Sequence, residues 1–245
     1  MVNRLIPMRR LLPALLALAL QGSVLAQTPP ALGEGVCGGF PLADNGPHDY
    51  RLVRDRRLSI VEKVHFTSEV ERLVKGATSQ FVAGDLGFTL RAFPNHHRAL
   101  IAMVRLGEKL RSAQPPGSIY SIECWLDRAV RFTPGDAVVR MVYANYLKTH
   151  SRTSEALEQL KHAIAAAGES AFTHYNAGLI YLEMKQYDLA LAQAHLAYGM
   201  GFQRPELRDR LKSARQWKDP VDEAPAAAVQ PLSEASGAAS APGEK

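Results

Sequence analysis

The sequence predicts an all-α fold in which helical hairpins stack one on the next. Three observations carry this prediction: an internal period, helical spacing of apolar residues within each period, and small residues where paired helices must meet. Ala129, Ala163 and Ala197 recur at steps of 34 residues. Ile122, Ala156 and Ala190 keep the same step, as do Leu126, Leu160 and Ala194, and Val130, Ile164 and Tyr198. Self-similarity at a fixed period of about 20–50 residues is the sequence mark of stacked repeats.

Residues 1–26 read as a secretory signal. Arg4, Arg9 and Arg10 precede the apolar run Leu11 to Leu20, and Val24-Leu25-Ala26 places small residues before a cut ahead of Gln27. The run is half the roughly 20 residues a membrane span needs. Residues 27–56 hold many Pro and Gly and are expected as an extended arm. Residues 57–95 are expected as a degenerate helical hairpin. There Arg57 to Phe66 suits a strand or a short helix. Ser68-Glu69-Val70-Glu71 has the form of a capping box, Gly76 a helix stop, and a helix spans Ser79 to Phe93.

Residues 96–218 carry the repeats. Helices are expected over Arg98–Arg111 and Ile119–Phe132, joined by the long turn 112–118. Further helices are expected over Ala137–Thr149, Ser154–Ala165, Ala171–Met184 and Tyr187–Tyr198. After Pro205 a last helix carrying Leu207, Leu211, Ala214 and Trp217 on one face would cap the open end of the stack. The stretch Asp219 to Lys245 is rich in Ala, Pro, Ser and Gly and has no aromatic residue. It is expected to be disordered, because it lacks the apolar surface to offset its ordering entropy.

The copy from Ala171 to about Gln203 resembles the tetratricopeptide repeat. It has Gly178, Tyr181, Tyr187, Ala190 and Ala197 where that family has its small and aromatic positions. The copy from Ala137 to Ser170 is similar, with Ala144 in the glycine position. A third copy keeps Ala129 and Pro134. The resemblance implies a solenoid of about three repeats. The phrases GPHDYR, EKVHFTSEVERL and GDLGFTLRAFPNHHRAL between Gly46 and Leu100 also resemble exported repeat proteins of Proteobacteria. That likeness implies export and no particular activity.

Composition narrows the function. The formal net charge of +5 falls to +2 once the three signal arginines are removed. So mild a charge without basic clusters does not point to nucleic acid. None of the common catalytic, phosphate-binding or zinc-binding motifs occurs. His96-His97 is a poor metal pair, because neighbours on a helix point about 100° apart; starting the helix after Pro94 is the simpler role. His162, His174 and His195 read as packing or surface positions, and Asp85 as a helix cap rather than a catalytic acid. No cofactor and no metal are expected.

The two cysteines, Cys37 and Cys124, allow one bridge in an oxidising compartment. It would tie the arm to the second helix of the first clear repeat and close a long loop, for which chain entropy allows about 4–5 kcal/mol. The alternative is Cys124 packed as a small apolar residue with Cys37 free.

Stacked hairpins present a groove lined by the first helix of each, where a peptide or helix can lie. On Ala171–Met184 the packing side is expected to be His174, Ala177, Gly178 and Tyr181. The groove side is then Phe172, Tyr175, Asn176, Leu179 and Glu183. One period earlier it is Val138, Met141, Asn145 and Lys148. Some relatives within the resembled family clamp a peptide carboxylate; Lys148, Asn145 and Asn176 are a thin version of that set, so apolar contact is the favoured mode. The expected function is a non-catalytic protein-binding adaptor or assembly factor, secreted into the periplasm, with a protein or peptide partner. The alternatives are an enzyme or enzyme subunit acting on envelope polymer, or a self-associating repeat protein.

Overall fold

The computed structural model describes residues 36–40 and 46–220. The expected signal at 1–26, much of the arm, and the tail beyond Pro220 lie outside the described residues. Among the described residues the fold is all-helical, with ten α-helices and no strand. No helix there is long and apolar enough to cross a membrane.

The first three helices are α1 (Arg56–His65), α2 (Ser68–Glu71) and α3 (Val82–Ala92). The stretch 57–66, open between strand and helix in sequence, is thus helical. The expected hairpin over 57–95 is instead three helices, of which α2 is a single turn. Ser68 does not cap it. Thr67 holds the extended backbone of a cap, and its Oγ1 accepts the Val70 N–H at 3.4 Å. The turn ends before Gly76, where Leu73 takes a left-handed φ of 59°.

Asp85 does not cap its own helix either. It sits in the first turn of α3, and its carboxylate accepts N–H bonds from Ala77 (2.8 Å) and Ser79 (3.0 Å). Residues 77–79 are therefore held as a loop around a buried acid. This is why α3 starts at Val82 and not at Ser79.

From His97 onward the helices match their expected boundaries closely. They are α4 (His97–Leu110), α5 (Ile122–Phe132), α6 (Ala137–Thr149), α7 (Thr153–Ala165), α8 (Ala171–Glu183), α9 (Tyr187–Gly199) and α10 (Glu206–Ser213). The α6–α7 and α8–α9 pairs make the most extensive helix contacts, and α6 also packs on α4 and α8. Both hairpins turn through the same device. Ser151 and Lys185, one period apart, take left-handed φ values of 60° and 59°. The next N–H in each turn returns to Leu147 or Tyr181. These bonds satisfy carbonyls that a helix end leaves free.

The periodic columns are the core. Ala129, Ala163, Ala197, Leu126, Leu160, Ala156 and Ala190 are fully buried. Small side chains there let the paired helices come close. Gly178 has the same role: a Cβ on it would lie 2.5 Å from Leu207 Cδ2 on α10. Leu207 and Leu211 of α10 are fully buried, and α10 packs on α8 and α9. Trp217 lies past the helix end but still packs on the C-terminal core.

Cys37 and Cys124 are bridged. The bridge lays residues 37–40 across the outer face of α5. Arg128, 3% exposed, donates from Nη1 to the carbonyls of Cys37 (2.9 Å) and Gly39 (2.7 Å). Arg131 Nη2 donates to Gly38 O at 3.1 Å, and the Phe40 ring lies 5.4 Å from Phe132. The Arg128 guanidinium rests against Phe40 and Tyr120, 4.6 and 4.7 Å from the ring centres. Desolvation of this guanidinium pulls its pKa down. Hydrogen bonds and ring faces therefore stand in for the missing counter-ion.

Candidate functional site

The cleft best suited to hold a ligand is a groove of about 350 Å³ between α4, α6 and α8. Each wall helix is fixed at its N-terminus. His96 caps α4 by accepting the Ala99 N–H on Nδ1 at 3.2 Å. Asp136 caps α6, accepting from Val138 (3.1 Å) and Val139 (3.3 Å). Ser170 caps α8 through the Thr173 N–H at 3.3 Å.

Asp136 also joins these walls to the arm. Its carboxylate contacts His97 Nε2 at 2.9 Å and accepts from Asn95 Nδ2 at 3.1 Å. Asn95 in turn donates to Asp49 at 2.7 Å and accepts the Tyr50 N–H at 2.8 Å. Burial pushes the Asp136 carboxyl up, and the His97 contact together with the Asn95 and Val139 hydrogen bonds outweighs this, so the acid stays below its ordinary range. Among the described residues no group of three or more His, Cys, Asp or Glu is placed to hold a metal ion.

The groove is mainly apolar, with polar side chains among its lining residues. Val138, Met141 and Asn145 of α6 and Phe172, Asn176, Leu179 and Glu183 of α8 all line it. Phe172 is 53% exposed, a large uncovered apolar surface at the rim. Two expected groove residues stand elsewhere. Tyr175 is 2% exposed and packs 4.4 Å from Phe202 in the C-terminal core. It faces the side of α8 that the chain after α9 covers, so it is a core residue. Lys148 does not line the groove floor either; its ammonium pairs with Glu183 at the rim.

That pairing weakens the carboxylate clamp. The Lys148 charge is matched by Glu183, which Arg210 also approaches at 3.4 Å. Asn176 Nδ2 donates to Phe172 O of its own helix at 2.7 Å. Of the three polar groups in the thin clamp, two are already engaged within the fold.

The groove also takes Ile101, Val104, Arg105 and Glu108 from α4, Val142 from α6 and Ile180 from α8. Sequence reasoning missed all six. The α4 residues escaped because α4 starts 40 residues before α6, not one period before. Val142 was recoverable, being one period before Asn176. Ile180 replaces Tyr175 because the groove lies on the α6 side of α8.

A second polar cluster surrounds Asp85. His65 Nδ1 lies 3.0 Å from Asp85 Oδ1, and Thr78 Oγ1 donates to the same oxygen at 2.6 Å. Burial raises this carboxyl, but the Thr78, His65 and backbone hydrogen bonds outweigh it and hold the acid ionised. The His65 ring stacks 3.7 Å from Phe88. The carboxylate is saturated by loop donors, so its evident role is to shape residues 77–79. Of the other expected packing histidines, His174 is buried on Gln193 at 2.7 Å, and His195 contacts Lys218 O at 2.8 Å.

No protein-family model, curated protein or solved structure matches this chain. The site is therefore read from its own geometry.

Proposed function

We propose that this chain is an exported, non-catalytic adaptor or assembly factor of the bacterial envelope. It holds a peptide or helix of a partner protein in the groove between α4, α6 and α8. The finer architecture we propose for residues 96–218 is a tetratricopeptide-type solenoid, with α6–α7 and α8–α9 as two of its repeats.

The observation that carries this reading is the groove floor itself. Val138, Met141, Leu179 and Ile180 line one continuous cleft, and Phe172 stands 53% exposed at its rim. An apolar cleft of this kind suits the apolar face of an amphipathic segment. The engaged state of Lys148 and Asn176 favours apolar contact over capture of a terminal carboxylate. The Cys37–Cys124 bridge fits an oxidising compartment.

The test is crosslinking of the tagged full-length protein in intact cells, followed by identification of what co-purifies. The control carries Phe172→Asp and Leu179→Asp. Tyr175 is left alone, because a charge there would disrupt the core. Partners lost in the control, with an unchanged circular dichroism spectrum, support groove binding. An identical partner set in both proteins refutes it.

A further inference from the structure

The outer face of α1 is apolar at its centre and basic at its edges. Leu58 and Val61 are the buried residues of this helix, packed with Ala92 and Phe93. Ile60 and Val64 lie outside that contact and are 48% and 41% exposed. Leu52, in the turn that leads into α1, is 78% exposed. None of these three belongs to a core cluster. Docking of α1 on the fold therefore does not explain their apolar character.

The cations around them fall in a definite order. At about 100° per residue, Lys63, Arg56, Ile60, Val64 and Arg57 follow one another within an arc of about 120°. All five are exposed. The apolar pair thus lies between bases, whose long stems can run along apolar surface while their charges reach polar groups.

Most of this charge is not neutralised within the fold. Arg54 donates to the carbonyls of Tyr50 and Val53, the latter at 2.9 Å, and leans over the Tyr50 ring. Arg56 and Lys63 make no ion pair among the described residues. Of the two acids between 54 and 64, Asp55 pairs with Arg57 at 2.6 Å. Glu62 turns to the other side of the helix, against His96 at 3.2 Å and Arg98 at 3.7 Å. The exposed side therefore holds four bases against one acid.

We propose that the outer face of α1 docks on an anionic lipid surface, with the helix lying flat in the headgroup region. Ile60 and Val64 enter the boundary with the acyl chains, and Arg54, Arg56, Arg57 and Lys63 meet lipid phosphates. A neutral apolar partner would leave the cations unmatched, and a soluble polyanion would leave Ile60 and Val64 in water. An anionic bilayer surface satisfies both. With ten residues, α1 is too short to span the bilayer, so the contact is peripheral. The proposal does not depend on the groove reading, because no residue of α1 lines the groove.

The test uses the full chain with one introduced thiol carrying the environment-sensitive dye NBD. The native cysteines are bridged, so Ile60→Cys places a single label on the α1 face. His162→Cys, exposed on α7, is the reference. Vesicles of phosphatidylglycerol and phosphatidylcholine in equal parts should raise the Ile60→Cys emission about 3-fold and leave the His162→Cys emission unchanged. Vesicles of phosphatidylcholine alone should leave both unchanged. Adding Arg56→Glu and Lys63→Glu should abolish the response. Salt at about 0.5 M should remove most of it from the singly substituted chain, a readout that needs no further variant. No response to the anionic vesicles overturns the proposal, as does an equal response at His162→Cys or one that survives both the charge reversal and salt. A rise without vesicles that grows with protein concentration overturns it in favour of a second copy on this face.

Discussion

His96 combines two roles that set its charge. It caps α4 with Nδ1 and is fully buried between Tyr50 and Phe66, ring centres 4.2 and 4.8 Å away. Desolvation pushes its pKa down from the ordinary 6.5 to about 3. The folded state therefore keeps the ring neutral where the unfolded chain would protonate it. Stability is fully present above about pH 6.5 and falls as the pH drops towards 3. Linkage gives a loss of about 2 kcal/mol between pH 7 and pH 5. Asp49, held down to about 2 by the Arg51 hydrogen bond, adds its own loss only below about pH 4. Urea denaturation at pH 7 and pH 5 checks this. His96→Asn keeps a capping side chain and should flatten the slope over that interval; an unchanged slope would assign it to other groups.

At the scale of single elements, the helix-breaking residue Gly107 provides a test with opposed signs. It lies inside α4, where propensity alone favours alanine by about 0.5–1 kcal/mol. A Cβ there would meet Ile122 Cδ1 at 1.9 Å and the Ser112 carbonyl oxygen at 2.9 Å. The backbone contact cannot swing aside, so Gly107→Ala should lower stability by about 1–3 kcal/mol. A chemical denaturation midpoint that rises instead would show that packing here is looser than described. The helices around the period were legible because each residue choice agreed with its neighbours: α6 begins and ends as expected, and α7 to α9 differ by a residue. Before Leu100 this agreement fails. Thr67 and Ser68 are equally good caps on paper, and backbone geometry chose Thr67. Asp85 looked like a cap, and N–H groups six to eight residues earlier in the chain turned it toward residues 77–79. The groove was half legible for the same reason. Val138, Met141 and Leu179 follow from helical spacing, whereas Tyr175 required knowing that Phe202 folds back over α8.

Across the whole molecule, the Cys37–Cys124 bridge ties together segments 87 residues apart. Replacing both cysteines with serine should cost about 2–5 kcal/mol, measured by denaturation under oxidising conditions. A second effect offsets part of this loss. Without the bridge, residues 37–40 are held mainly by Arg128, Arg131 and the Phe40 contacts. Release of the segment would wet a guanidinium that is 3% exposed. Rehydration of that charge favours the open arm, so the measured cost should fall below the entropic maximum of about 4–5 kcal/mol. A cost at or above that maximum would mean that the Arg128 contacts are intrinsically favourable.

The same bridge dictates how the molecule carries mechanical load. Tension applied along the chain from its amino-terminal side enters at Cys37 and passes directly to Cys124. Helices α1 to α4 lie in the bypassed loop and are never stretched. Helices α6 to α10 bear the force and should peel hairpin by hairpin. In an optical trap, adding a reductant should release a further contour length of about 300 Å as those 87 residues join the loaded path. The molecule then has a force-shielded segment, α1 to α4, and a compliant one, α6 to α10.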